Sequence, residues 1–363
     1  MNTLSLTEVF NPDPGWYRGD LHLHTTFSDG HHPPVELAQL ARDEGLDFIA
    51  VTDHNSIDSF SEFGDDPGIL VIPGIEATVT DGHWNVFGMP GWQEWLQKVC
   101  VGRMSFSLKG TGLTTNDLLQ QSSNLGLLNS VNHPLLKPWE WRDGLTDLRY
   151  VNCIEIWNDP LWPDNEQANP QAVALWTNWL NAGYRITAIG GSDFHFLPGE
   201  SPGYPGERPG LPMTYVWAQE LSGAGVLAGI KSQRVYVSMG PRLTFNADAD
   251  GKTEDIGGDL GIISGEVNLT ASIYEAPDGS CMRLVKGGKT IHQAAVKGGL
   301  MAEFSDTTSS ERPEWYRLEV VDSEERVLAL TNPIYTGPRR QPRITEFGGF
   351  VRQNQILALI DEN

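Results

Sequence analysis

Gly19-Asp20-Leu21-His22-Leu23-His24-Thr25-Thr26-Phe27-Ser28-Asp29-Gly30 is the stretch on which the reading of this chain turns. On a β-strand, residues i and i+2 point to one face, so His22 and His24 can reach a common metal ion. Asp29 follows in a polar turn closed by Gly30, placed to fold back over the strand's end. A His-x-His pair alone is weak evidence. The rest of the chain strengthens it by returning His, Asp and Glu at the ends of short apolar runs.

Working outward, strands and helices alternate. Pro33-Pro34 opens a helix, which Gly45 closes. Residues 47–52 form a short buried strand ending at Asp53-His54-Asn55, and residues 69–72 form another. Residues 75–79 and 83–87 read as a hairpin around Asp81-Gly82. Residues 114–124 and 170–182 are helical, and residues 125–131, 152–157 and 185–189 are strands. Residues 89–112, with Trp92, Trp95, Arg103 and Lys109, are irregular and are expected to be a lid or insertion. From about Gly240 short β-like runs follow one another without a helical pattern. The chain thus divides into an α/β body over 1–240, a small antiparallel β-sandwich over 241–340, and a tail over 341–363 with no structure assigned.

The chain has 363 residues and a formal net charge of −22. That balance weighs against tracking a nucleic-acid backbone, which needs Lys and Arg against phosphates. No apolar run approaches the roughly 20 residues of a membrane span. Residues 1–14 have neither a basic start nor an apolar core, so no leader is expected. Cys100, Cys153 and Cys281 are far apart and odd in number, which suits a reducing cytoplasm. Oligomeric state is left open.

Gathered together, the polar residues at strand ends are His22, His24, Asp29, His54, Glu76, His83, His133, Asp193 and His195. They include six of the nine histidines. Imidazole and carboxylate donors without thiolate suit Zn²⁺, Mn²⁺ or Fe²⁺. A carboxylate such as Glu76 can bridge two ions. Strand C-terminal ends are where barrel-type α/β enzymes build active sites.

These residues sit in Asp20-Leu21-His22-Leu23-His24, Ser28-Asp29-Gly30, Thr52-Asp53-His54, Gly74-Ile75-Glu76, Asn132-His133-Pro134 and Gly191-Ser192-Asp193-Phe194-His195. In that order, over residues 16–237, they resemble the PHP (polymerase and histidinol phosphatase) superfamily of metal hydrolases. Trp16-Tyr17-Arg18-Gly19-Asp20, His83-Trp84-Asn85-Val86, Glu155-Ile156-Trp157-Asn158 and the Trp315-Tyr316-Arg317 and Leu330-Thr331-Asn332-Pro333 segments resemble its CehA/McbA-like branch, which includes carbamate-insecticide hydrolases.

The resemblance implies a distorted (β/α)7 TIM-like barrel with two or three divalent ions. By position, His22, His24, Glu76 and Asp193 would hold one ion. Glu76, His83 and His133 would hold a second, and Asp29, His54 and His195 a third. It implies hydrolysis of a small-molecule phosphomonoester by a metal-bound hydroxide, with Asp193, His195 and Glu76 catalytic. A carbamate or carboxylic ester is the alternative substrate, and a non-catalytic, metal-stabilised binding module the rival reading.

Around this set, Asp20 and Asp53 are expected to orient imidazoles. His31 and His32 should face solvent or the rim, and His292 should lie on the surface. Trp139, Trp141, Trp157 and Trp162 could line an aromatic pocket. Arg18, Arg103, Lys137 and Arg208 are the cationic candidates for a substrate anion. Residues 246–251 resemble the start of an EF-hand loop, but Gly257 stands where the bidentate Glu belongs, so this is an acidic turn.

Overall fold

A computed structural model describes residues 4–102, 105–296 and 299–350. The chain is mixed α/β and rich in sheet. Seven strands carry the quoted stretch and its partners: β1 (Gly15–Asp20), β2 (Phe48–Val51), β3 (Leu70–Val79), β4 (Gly82–Phe87), β5 (Leu128–Val131), β6 (Cys153–Asn158) and β7 (Thr187–Gly191). They lie side by side in chain order. Pairs β1–β2, β2–β3, β5–β6 and β6–β7 are parallel, whereas β3–β4 and β4–β5 are antiparallel.

Helix α1 (Pro34–Asp43) starts on Pro33-Pro34 and ends ahead of Gly45, whose φ of 73° only glycine adopts without strain. Helix α2 (Thr115–Asn124) is held at its start by a capping box between Thr114 and Asp117. Helix α3 (Asn165–Ala182) begins earlier than expected, ahead of Pro170. Its first turns are anchored by side chains rather than by apolar periodicity. Asn169 pairs with the Asn158 backbone in both directions (3.1 and 2.8 Å), and Asn165 donates to the Asp159 carbonyl (3.0 Å).

Two expectations change. Strand–helix alternation is incomplete: only a 3-10 turn, Asp58–Ser61, stands between β2 and β3, because residues 55–68 are rich in Asp, Ser, Gly and Pro. The described part of segment 89–112 packs into the body as an insertion. Trp95, Leu96, Val99 and Phe106 are buried in the main core, so its apolar residues anchor it there. Arg103 lies outside the described residues.

Beyond the seven strands, β8 (Met213–Ala218) pairs antiparallel with β1 and with β9 (Val235–Ser238). Helix α4 (Gly223–Lys231) connects them. Then come β10 (Arg242–Ala249), β11 (Gly265–Tyr274), β12 (Cys281–Lys286), β13 (Leu300–Thr308), β14 (Glu314–Val321) and β15 (Val327–Thr331). β15 pairs with β9, so the sheet runs on past residue 240 into β14 and β12. Asn332 fastens the join, its side chain bonding Ala188 N and O and Val235 O at 2.8–3.0 Å.

A second sheet contains β10, β11 and β13. Leu243, Phe245 and Ala247 alternate inward along β10, as Val267, Leu269, Ala271 and Ile273 do along β11. They meet Met282, Leu284, Leu318 and Val320 in a separate apolar layer. The edge strand Lys289–Ala295 escapes sequence reading because it is mostly exposed and polar. Residues 341–350 are not loose: Phe347 and Phe350 are buried against Trp179.

Candidate metal centre

The quoted stretch does its work just past the ends of the strands. Leu23 bridges to Phe194 in parallel, with the His24 N–H donating to the Phe194 carbonyl at 2.9 Å. Thr52 N–H donates to the Leu23 carbonyl at 3.0 Å, and His54 bridges to Glu76. The extensions of β1, β2, β3 and β7 therefore run together and present His22, His24, His54, Glu76, Asp193 and His195 to one place. The β3–β4 hairpin pairs Thr78 with His83, which brings His83 diagonally beside Glu76. His133 and Asp193 hold positive φ of 25° and 54°, unusual for non-glycine residues and common at functional sites. Gly191 permits the approach of β7. A Cβ there would lie 2.4 Å from His22 Cβ and 2.8 Å from Glu155 Oε1.

Glu76, fully buried, sits at the middle. Its Oε1 is 3.2 Å from His22 Nε2, 3.2 Å from His83 Nδ1 and 3.3 Å from His133 Nε2. Its Oε2 is 2.9 Å from His54 Nδ1 and 3.5 Å from His24 Nε2. Asp193 Oδ1 lies 3.1 Å from His22 Nε2 and 3.0 Å from His24 Nε2. Asp29, half-exposed, lies 3.4 Å from both His54 Nε2 and His195 Nε2. Three groups each bring their donor atoms within 4.8 Å of one another: His24, Asp29, His54 and His195; His22, His24 and Asp193; and His54, Glu76 and His83. His24 and His54 are shared between groups.

The donor set fits divalent cations. His22 Nε2, Glu76 Oε2 and His83 Nδ1 are buried and make no well-formed hydrogen bond, a cost a bound ion would remove. Electrostatics agree. Burial works against charge on His22, yet Asp193, Glu155 and Glu76 raise its pKa well above the usual imidazole value. Against burial, Glu76 and Asp29 raise His54 to about 10, and Asp29 and Asp193 raise His195 to about 9. Burial, with His195 and His54 nearby, lowers His24 to about 4. Glu76 and Asp193 stay well below the ordinary carboxylate range despite burial, held by the imidazoles around them. Metal ions binding here would replace the protons these imidazoles carry.

Orientation comes partly from residues the sequence reading did not assign. Glu155 Oε1 pairs with His22 Nδ1 (2.9 Å), and Oε2 accepts from the His133 N–H (2.8 Å). Asn132 donates to Glu76 Oε1 (2.9 Å), and Asn158 donates to Glu155 Oε2 (3.1 Å) and Asp193 Oδ2 (3.3 Å). The quoted Asn132-His133 and Glu155-Asn158 motifs held this signal. Asp20 and Asp53 bond backbone N–H groups and hydroxyls rather than imidazoles directly. Asp20 accepts from the N–H groups of His22, Ser192 and Gly210, and Asp53 from the Thr25 N–H and the Thr25 and Ser28 hydroxyls. His32 is buried between Glu36 and Glu200 rather than facing solvent, because loop 198–210 folds onto it.

A cavity of about 220 Å³ opens beside the centre, lined by Asp29, His54, Glu76, His83, His133, Asp193 and His195, and by Leu136, Trp139, Asn158, Asp159, Trp162, Phe196, Tyr204 and Glu207. Of the residues expected to contact substrate, Arg18, Lys137, Trp157 and Arg208 do not line it. Arg18 lies against the Gly45 turn. Lys137 and Arg208 are exposed beside it. Trp157 faces a neighbouring groove with Met239 and Leu328. The aromatic wall is real, but Trp139 and Trp162 make it, with Tyr204 and Phe196. Trp141 is buried against Trp84.

Residues 20–135 match the family model described as the PHP domain. That segment holds His22, His24, Asp29, His54, Glu76, His83 and His133, whereas Asp193 and His195 come from beyond it. None of the curated proteins compared matches the chain. Among solved structures, a two-domain protein from Bacteroides vulgatus, described as containing a predicted PHP-like metal-dependent phosphoesterase, is similar at 19% identity and a TM-score of 0.47, covering 92% of this chain and 98% of that one. A putative metal-dependent phosphoesterase from Bifidobacterium adolescentis is similar at 17% identity and a TM-score of 0.33, covering 52% and 91%. An amidohydrolase from Chromobacterium violaceum is similar at 17% identity and a TM-score of 0.36, covering 52% and 90%.

Proposed function

We propose that the chain is a metal-dependent hydrolase of small-molecule phosphoesters. The observation that carries this reading is the convergence of nine His, Asp and Glu side chains, seven of them lining one cavity, with buried donor atoms left unsatisfied. His22, His24, Glu76 and Asp193 are assigned to one ion, Glu76, His83 and His133 to a second, and Asp29, His54 and His195 to a third, with Zn, Mn or Fe as the metal. When bound, such ions supply a nucleophile at neutral pH and neutralise charge developing on the ester. The protein's own part is to hold the donors in place through Glu155, Asn132 and Asn158. Asp193 and His195, each about a fifth exposed, are assigned the passage of a proton to the leaving oxygen. On this reading residues 1–240 form a distorted seven-stranded barrel closed through Leu23 and Phe194, and residues 241–340 a β-sandwich built onto its edge.

One observation favours a second substrate class of the CehA/McbA-like kind, carbamates or carboxylic esters: among the described residues no Lys or Arg lines the cavity, and its mouth is aromatic. Metal-loaded protein assayed on p-nitrophenyl phosphate, 1-naphthyl acetate and carbaryl separates the two classes. Activity on none of them would sink the hydrolase reading. Metal analysis of Asp29→Ala tests the third site, where content should fall by about one ion.

A further inference from the structure

The cavity has a wall that metal binding does not explain. Asp159 and Glu207 line it, each only 5% exposed. Their hydrogen bonds come from backbone N–H groups alone. Asp159 accepts from Leu161 (3.0 Å), and Glu207 accepts from His195 (3.1 Å) and Phe196 (3.2 Å). Among the described residues no side-chain donor reaches either carboxylate, and neither takes part in an ion pair with Lys or Arg. Burying two carboxyl groups is costly, and burial raises both above their ordinary range. The two lie close enough that Glu207 helps to raise the Asp159 pKa.

An arc of aromatic rings stands over the same space. Trp139 meets Trp162 edge-on at 5.8 Å, Trp162 stacks with Tyr204 at 5.4 Å, and Tyr204 meets Phe196 at 6.0 Å. Trp139 and Tyr204 are exposed, so the arc forms the mouth. Aromatic faces attract cations, most of all weakly hydrated ammonium groups. The carboxylates and rings thus select the same charge, and both disfavour an anion.

We infer that the cavity takes a substrate whose far end carries an ammonium group, seated between the Asp159–Glu207 pair and the rings of Trp139, Trp162 and Tyr204. This rests on the reading of the cavity as the substrate site. The ester end faces the candidate metal centre, and the ammonium end favours the ionised form of the two carboxyls, which burial disfavours in the free protein.

Choline and its uncharged isostere 3,3-dimethyl-1-butanol test the inference directly. Each is titrated into the metal-loaded full-length protein while tryptophan fluorescence is followed. Choline should bind at least about tenfold more tightly. In Asp159→Asn and in Glu207→Gln the preference should shrink to within about threefold. The ratio of kcat/KM for phosphocholine over 3,3-dimethylbutyl phosphate should follow the same pattern. Equal binding of the two alcohols by the unsubstituted protein overturns the inference, and that comparison needs no variant to fold. Loss of a metal ion from Asp159→Asn also overturns it, because the pair would then be a metal site. Choline-selective binding without hydrolysis of any ester would remove the hydrolase reading and leave this inference standing. Hydrolysis without selectivity would do the reverse.

Discussion

Two regions of this molecule bury charge in opposite ways. In the C-terminal sheets each buried charge has its partner within the chain. Arg317 bonds Glu319 at 2.6 Å, donates to Thr177 at 2.8 Å and packs over Trp176 and Trp315. Lys286 lies 2.7 Å from Asp306 and 3.0 Å from Glu314. At the ends of β1, β3 and β7 the carboxylates face imidazoles and the amides of Asn132 and Asn158, and among the described residues no Lys or Arg lines the cavity. The first arrangement is complete as folded. The second keeps Glu76 and Asp193 ionised by borrowing protons onto His22, His54 and His195, and on the proposed reading cations from outside would complete it.

That contrast can be broken at several points. The largest expected effect is on catalysis. Asp193→Ala should lower kcat/KM on whichever ester is hydrolysed by about a thousandfold or more, with the loss of stability in the metal-free protein the smaller effect. Arg317→Ala should do the opposite. Leaving Glu319 buried and unpaired should cost about 3–5 kcal/mol in urea unfolding, with metal content unchanged. If Arg317→Ala emptied the metal centre, the two regions would not be separable in this way.

Smaller effects sharpen the comparison. Glu155→Gln weakens the hold on His22 without removing a candidate ligand, and should reduce metal affinity about 10–100-fold in competition with a chelator. Asp159 offers the pH test. Burial, with Glu207 and Asp193 nearby, raises its carboxyl from 3.8 to about 8. The folded state then keeps a proton that the unfolded chain releases. The stability this provides is fully present below about pH 4 and is lost as pH rises through about 8. In Asp159→Asn, the difference in unfolding free energy between pH 5 and pH 9, measured with chelator present, should shrink by about 1–2 kcal/mol.

Much of the centre was legible from residue types. His22-Leu23-His24, Asp53-His54 and Ser192-Asp193-Phe194-His195 all close short apolar runs, and strand ends are where a parallel sheet presents side chains. The hairpin around Asp81-Gly82 was readable because its turn residues are, and it carried His83 with it. What was missed is non-local. Glu155 could be quoted within a motif, but only the pairing of β6 with β7 places its carboxylate on His22. Arg18, Lys137 and Arg208 were credible anion contacts by charge alone, yet they lie outside the cavity because the Gly45 turn holds one and the loop surface the others. The wall they were meant to fill is occupied by Asp159 and Glu207, from segments about 50 residues apart in the chain.

By itself the sequence determined the kind of chemistry available: imidazoles and carboxylates in an order that meets at strand ends, and a change to purely β pattern near residue 240. Only the tertiary structure decided which donors share a position, that the sheet continues past that point through β9 and β15, and that the cavity is acidic and aromatic rather than basic. The physical reason is range. Periodicity and turn chemistry act over a few residues, whereas the charge inside a cavity is a sum over segments that meet only once the chain has folded.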